Sequence, residues 1–497
     1  MAIVVALLAC LTAGVRGEVT YHVESRDDAD LTIVRMTVTP AAEPVPALKY
    51  RLVARDIDIQ PGNAAPYYYR ALLETSKVMK HLRSHYGDEY DRWYATGTEA
   101  PTIAELPVKK LREADNRSLY GLIEEQLAVA TSRRHCDWEL GVEEVRGVDV
   151  IAFILSEFQE SRELARLVAL RTRLAIAEGR YDDAVEAMRR NYRLGCDVAQ
   201  PPFLVCGLIG IAICGVTNGT AIEMIAQPDS PNLYWALSEL PQPPIDMRRA
   251  IRVEVAFGPR IFPLIHNAEK TDHSPQEWNR LYRQSFRDLA TIGGGNLPVT
   301  NEVGAGLVAT GVTLLGYPHA KQQLIAQGME RERVERMAVG QVMAIYSERS
   351  YQVVADDFEK LWYVPFWEMA ERHEELKQRL KEAPARDGGA AREVLPVAPL
   401  LLPALGAART AQVRLEREVA ALRVVEALRM FAASHQGSLP KSLDEITEVP
   451  VPLNPATGKP FKYRLDGRTA IFDLPTSEGF PGYNRRFEIK IATEKTR

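Results

Sequence analysis

Few side chains in this sequence stand at the spacings that chemistry requires. His373-Glu374-Glu375 opens the pattern in which one helix offers two histidines to zinc and a glutamate to water. The second histidine belongs at position 377, where the chain has Lys377. The set therefore lacks a ligand and reads as a solvated charged helix. His266 and His273 flank a loop with Asp272, which could place a metal or an acid–base pair there; the plainer expectation is a solvated loop. Asp182 and Asp183 are paired carboxylates, but they stand at a helix start, where negative charge favours the helix dipole. Gly293-Gly294-Gly295 is not followed by Gly-Lys-Ser/Thr, so it reads as a joint rather than a phosphate cradle. No G-x-S-x-G nucleophile elbow occurs. Catalytic residues thus remain unassigned, and neither a cofactor nor a metal is expected.

Cysteine is the remaining reactive side chain. There are five, with no C-x-x-C pair, so a zinc site is not expected. Cys206 and Cys214 stand eight apart in an apolar run, too far along one helix to bond each other. They read as buried apolar cysteines. Cys136 and Cys196 are the pair expected to form a disulfide if one forms.

That condition depends on compartment. Ile3 to Ala13 is an apolar run of signal-peptide length, and Val15 and Gly17 are the small residues expected before a cut between Gly17 and Glu18. No Lys or Arg precedes the run. Export to the periplasm or beyond is the expectation. Leu7-Leu8-Ala9-Cys10 offers an alternative, a lipid anchor on Cys10. Asn116-Arg117-Ser118 and Asn218-Gly219-Thr220 fit the glycan acceptor pattern, which carries little weight in a bacterial host.

The elements that must position any site are mostly helices. The chain has 497 residues, 46% hydrophobic and 26% charged, with net charge −5. That is an ordinary globular composition, and it lacks the basic stripe of a nucleic-acid binder. Glu18 to Pro40 is rich in Val, Thr, Ile and Tyr around a polar turn, which predicts a β-hairpin. Asn63 can cap a helix that carries Tyr67-Tyr68-Tyr69; three consecutive tyrosines cannot share one helix face, so they are expected at core and boundary positions. Residues 163–200 predict two amphipathic helices turning at Gly179-Arg180. Phe203 to Val216 is apolar all round and about fourteen residues long, too short for a membrane span. It is expected to be the central helix of a bundle. Further helices are expected at 246–263, 274–292, 301–315, 320–347 and 351–382. Residues 383–391 read as a linker. Pro396, Pro399 and Pro403 predict an extended apolar strap up to residue 409. A helix at 410–434 follows, then a hairpin turning at Asp466-Gly467 and a third strand near 487–492.

Two stretches resemble known families. Residues 163–200 resemble one tetratricopeptide unit through Gly179, Tyr181, Ala184 and Met188, although Thr172, Ala175 and Asn191 depart from its usual residues. No second unit follows at that period, so a helical hairpin is expected rather than a solenoid. Leu422 to Asp473 resembles the globular end of type II secretion pseudopilins through His435, Gly437, Pro440, Asn454, Pro455, Gly458, Pro460 and Tyr463. The arrangement as a whole resembles an uncharacterised family of exported bacterial helical proteins, which implies no activity.

The expected fold is mainly α. A helical bundle spans 61–382, with a short β-hairpin and connector at 18–60 and a small α+β domain at 410–497. The expected function is an exported, non-catalytic interaction or scaffold protein with a protein partner, no nucleic acid and no membrane span in the mature chain. One alternative is an envelope hydrolase whose site converges from distant helices. Another is an accessory of type II secretion or pilus-like machinery.

Overall fold

In the computed structural model the described residues are 18–25, 30–114, 117–140, 149–292, 302–369, 371, 372, 375, 376, 378, 397–474 and 484–492. The fold is mainly α, with strands at both ends of the chain. The expected hairpin forms from β1 (Glu18–Glu24) and β2 (Leu31–Val38), paired antiparallel. A short β3 (Gln60–Asn63) leads into α1 (Ala65–Tyr86) and α2 (Asp88–Trp93). The N-cap of α1 is Ala64 rather than the expected Asn63, whose Oδ1 accepts from the Ala65 and Asp137 amides and ties the helix start to a distant loop. The three tyrosines part as their geometry requires. Tyr68 is fully buried on Asp197, Tyr69 reaches the Trp138 carbonyl, and Tyr67 accepts from Arg133.

After α3 (Val108–Ala114) and α4 (Arg117–Thr131), β4 (Arg133–His135) pairs parallel with β3. Helices α5 (Asp149–Ala177) and α6 (Tyr181–Val198) form the expected hairpin, turning at Gly179 with φ +70. Asp182 and Asp183 lie in the first turn of α6. Next comes α7 (Leu204–Ala226), apolar or glycine apart from Thr217, Asn218, Thr220 and Glu223, and largely buried. It extends ten residues past the expected end because each polar group there finds a partner. Thr217 and Thr220 donate to carbonyls of their own helix, and Asn218 and Glu223 bond side chains on other helices. Among the described residues α7 is the helix long and apolar enough to cross a membrane, but 72% of its most apolar window is buried inside the fold. Where α6 crosses α7 the backbones touch. A Cβ on Gly210 would sit 2.5 Å from the Gly195 carbonyl oxygen.

The later helices are α8 (Tyr234–Ser238), α9 (Arg248–Ile261), α10 (Pro275–Ile292), α11 (Glu302–Ala326), α12 (Arg331–Arg336) and α13 (Val339–Glu359). The expected break near Pro318 does not occur, since one missing N–H is tolerated within α11. The chain breaks instead at Gly328, which takes the left-handed conformation with φ +95. The expected proline strap is likewise corrected. Helix α14 (Val397–Ser434) begins inside it and runs for 38 residues. Pro399 falls in the first turn, where an N–H has no intrahelical acceptor, and only Pro403 interrupts the ladder.

Three further strands follow: β5 (Lys462–Asp466), β6 (Thr469–Leu474) and β7 (Asn484–Ile491). They form no sheet of their own. The order is β1-β2-β7-β6-β5, with β2 and β7 parallel, so both ends of the chain share one sheet. Register aligns Val19, Met36, Ile489 and Ala470 in one row, and Tyr21, Val34, Phe487 and Phe472 in the next. Phe472 and Phe487 stack at 5.1 Å. This face packs into the same apolar cluster as α1, α5, α7 and α14. Buried polar groups complete the joint. Glu426 accepts from the Leu233 amide, and Arg429 donates to Glu426, Ser230 and the Thr39 carbonyl.

Candidate functional site

Side chains two apart along a strand share a face, so the rows above continue outward. Beyond Tyr21 the register aligns Val23, Thr32 and Arg485 on the face that looks at the helices. Here two polar residues, Thr32 and Arg485, enter the row between Val23 and Leu474. A cleft of about 450 Å³ opens between the sheet and α7, with α14 still bonded to the sheet through Glu418 and Arg485. Its floor is one face of α7, from Ile211 through Gly215 to Ile222, with no charged or hydrogen-bonding side chain among its lining residues. Arg414 and Glu418 of α14 stand on one side, Arg485 near the start of the central strand β7, and the Thr96-Gly97-Thr98 loop on the other.

The charged groups are fixed by a buried chain of hydrogen bonds. Tyr192 donates to Asn218 Oδ1 at 2.5 Å, Asn218 donates to Glu418 Oε2 at 3.2 Å, and Arg485 Nη1 lies 3.1 Å from Glu418 Oε1. Each oxygen of Glu418 thus has a donor. The Thr96–Thr98 wall is fixed by a second device. Arg173 is fully buried; it meets both oxygens of Glu223 at 2.8 and 2.9 Å and donates to the Trp93 and Pro101 carbonyls that bracket the loop. The loop also lies directly on α7, since a Cβ on Gly219 would meet Thr96 Oγ1 at 2.2 Å. Gly215 faces open space.

Burial raises the Glu223 carboxyl to about 7, against the pull of Arg173. Burial also lifts the Tyr21 phenol well above its ordinary value, so it stays protonated in the cleft. Asp197 is raised by burial although it accepts from Tyr68 and Arg193. Glu426 is raised by burial beside Arg429.

A second concavity, of about 390 Å³, lies between α8, α14 and residues 452–458. Its rim exposes Trp367 and Leu453, and its other walls are largely proline and aliphatic.

The residues singled out by sequence do not converge on either cavity. His266 and Asp272 are exposed, and His273 packs edge-on against Trp278 at 4.8 Å. Asp183 pairs with Arg180 at the α6 start. Among the described residues no group of three or more His, Cys, Asp or Glu side chains could hold a metal. Cys136 and Cys196, the expected bridge, are both free thiols, as are Cys206 and Cys214. Burial pushes the Cys196 and Cys206 thiols up to about 12, which keeps them protonated and unreactive at neutral pH. Asn218 is buried, which excludes it as a glycan acceptor in the folded chain. Met1–Gly17 with Cys10, the Asn116 acceptor, Gly293–Gly295 and His373-Glu374 with Lys377 fall outside the described residues.

The cleft residues escaped notice because each looks structural in sequence. One signal was present: Glu223 is the single charge in α7. A lone carboxylate in an apolar helix demands a buried cation, and Arg173 supplies it from α5.

Comparison with known proteins finds no matching family model, no matching curated protein and no matching solved structure.

Proposed function

We propose that this chain is an exported, non-catalytic interaction module, and that it captures its ligand in the cleft between the sheet and α7. The observation that carries the reading is preorganisation. Glu418, Arg485 and the Thr96–Thr98 wall are each held by buried partners before any ligand arrives, which removes part of the ordering cost of binding. The volume suits a small molecule or a single anchoring side chain.

A hydrolase reading has one observation in its favour, the Glu223 carboxyl raised to about 7. Both Glu223 oxygens are occupied by Arg173, and Glu223 does not line the cleft. Positioning of the wall is therefore the better role for it.

The test is native mass spectrometry of the chain purified from its envelope, compared with Gly215→Leu. Gly215 faces the open cleft, so leucine there fills the site. The same substitution favours the helix by roughly 0.5–1 kcal/mol, and an undiminished urea midpoint is the control that separates loss of binding from unfolding. A co-purifying species present with wild type and absent from Gly215→Leu supports the reading. Identical spectra from the two overturn it. Intact mass of the mature chain tests export in the same experiment, with Glu18 expected as the first residue.

A further inference from the structure

The cleft has one apolar face, and the side chains around it that still lack a partner are hydroxyls. The floor from Ile211 to Ile222 runs three helical turns, about 16 Å, and presents only aliphatic, alanine and glycine surface to the cavity. The charged groups of the walls are already engaged. Glu418 has Asn218 at 3.2 Å and Arg485 at 3.1 Å, and Arg414 makes an interaction of its own. The hydroxyls are not engaged. Tyr21 and Thr32 on the sheet, with Thr96 and Thr98 in the loop, all line the cavity, and none of these four side chains hydrogen-bonds to a described residue. Tyr21 is half-buried, and burial keeps its phenol protonated. Thr96 lies against the floor itself, since a Cβ on Gly219 would meet its Oγ1 at 2.2 Å. A hydroxyl both donates and accepts, so these four match hydroxyls on a ligand with no charge involved. An ion would shed its water onto aliphatic surface and find the opposite charges of the walls already committed.

From this arrangement we infer that the cleft takes a small uncharged alcohol with an aliphatic body, its body on the α7 floor and its oxygens towards Tyr21, Thr32 and the Thr96–Thr98 loop. The inference rests on the reading of the cleft as the binding site. It goes beyond that reading by fixing the charge and polarity of what binds.

The test is isothermal titration of the full chain with four probes: 4-cyclohexylbutanol, 4-cyclohexylbutyrate, 4-cyclohexylbutylammonium and glycerol. The first three share one body and differ in charge. The alcohol is expected to bind at least about ten-fold more tightly than either ion, because an unmatched charge costs more to bury than a hydroxyl. Glycerol, which has hydroxyls and no aliphatic body, is expected to bind more weakly than the alcohol. Tyr21→Phe keeps the ring and removes one hydroxyl. It is expected to weaken the alcohol by about three- to ten-fold with the urea midpoint unchanged. Gly215→Leu is expected to abolish binding of the alcohol.

The failures are distinguishable. Either ion binding as tightly as the alcohol, with both lost in Gly215→Leu, overturns the uncharged assignment and leaves the cleft as the site. Glycerol binding tighter than 4-cyclohexylbutanol overturns the aliphatic body. Alcohol affinity that Tyr21→Phe leaves unchanged overturns the hydroxyl contacts. Absence of binding by all four probes overturns this inference alone, because the co-purifying species decides the cleft separately. Alcohol binding that Gly215→Leu leaves unchanged overturns the cleft reading and this inference together.

Discussion

Replacing Arg173 by methionine tests how the cleft wall is held. The substitution keeps an apolar stem of similar length and removes four hydrogen bonds, two to Glu223 and two to the Trp93 and Pro101 carbonyls. Arg173 is fully buried and the Glu223 side chain nearly so, so solvent cannot replace those bonds. Removing one partner of a buried ion pair costs about 3–5 kcal/mol, and that loss is expected here at pH 7. Part of it falls on the loop, because Trp93 and Pro101 anchor its two ends. Urea unfolding followed by tryptophan fluorescence gives the global loss. Hydrogen exchange gives the local one: amides 95–100 are expected to exchange faster by well over ten-fold relative to α7 amides. Adding Glu223→Leu removes the stranded carboxylate and is expected to recover part of the stability while the loop stays unprotected. Two results refute the reasoning. One is a stability change below about 1 kcal/mol in Arg173→Met. The other is loop protection equal to wild type.

Gly219→Ala brings a methyl group within 2.2 Å of Thr96 Oγ1. It is expected to cost about 1–3 kcal/mol, and the added Thr96→Gly change should restore most of it in the same urea assay. The pH dependence carries its own sign. Glu223 is raised from its ordinary 4.5 to about 7, so between those values the folded chain binds more protons than the unfolded one. Its contribution to stability is therefore present below about 4.5 and is lost as pH rises through about 7. Subtracting the Glu223→Gln profile from wild type should isolate a fall across that window, and a flat difference contradicts the assignment.

Much of the helical framework was legible in the sequence because its signals are local. Gly179 turns the α5–α6 hairpin, the Asp466-Gly467 pair turns β5 into β6, and the apolar run after Phe203 is the buried start of α7. Local rules also misled where longer-range bonding repays a local cost. Thr217, Asn218 and Thr220 looked like the end of an apolar helix, yet each finds a partner inside the fold. Pro399 looked like a helix breaker, yet it lies in a first turn. The parallel pairing of β2 with β7 joins opposite ends of the sequence, and no local pattern encodes it. The cleft exists only once that pairing has formed, since Thr32 and Arg485 meet across it. Its residues therefore carry no shared motif. They are single polar side chains in otherwise apolar elements, each meaningful only through a partner from another element.

The most direct test of the cleft as the binding site is hydrogen exchange on the chain before and after its co-purifying species is stripped away. Faster exchange is expected around Tyr21, Thr96–Thr98 and Leu415 once that species is gone. A change confined to the Trp367 and Leu453 rim would contradict it.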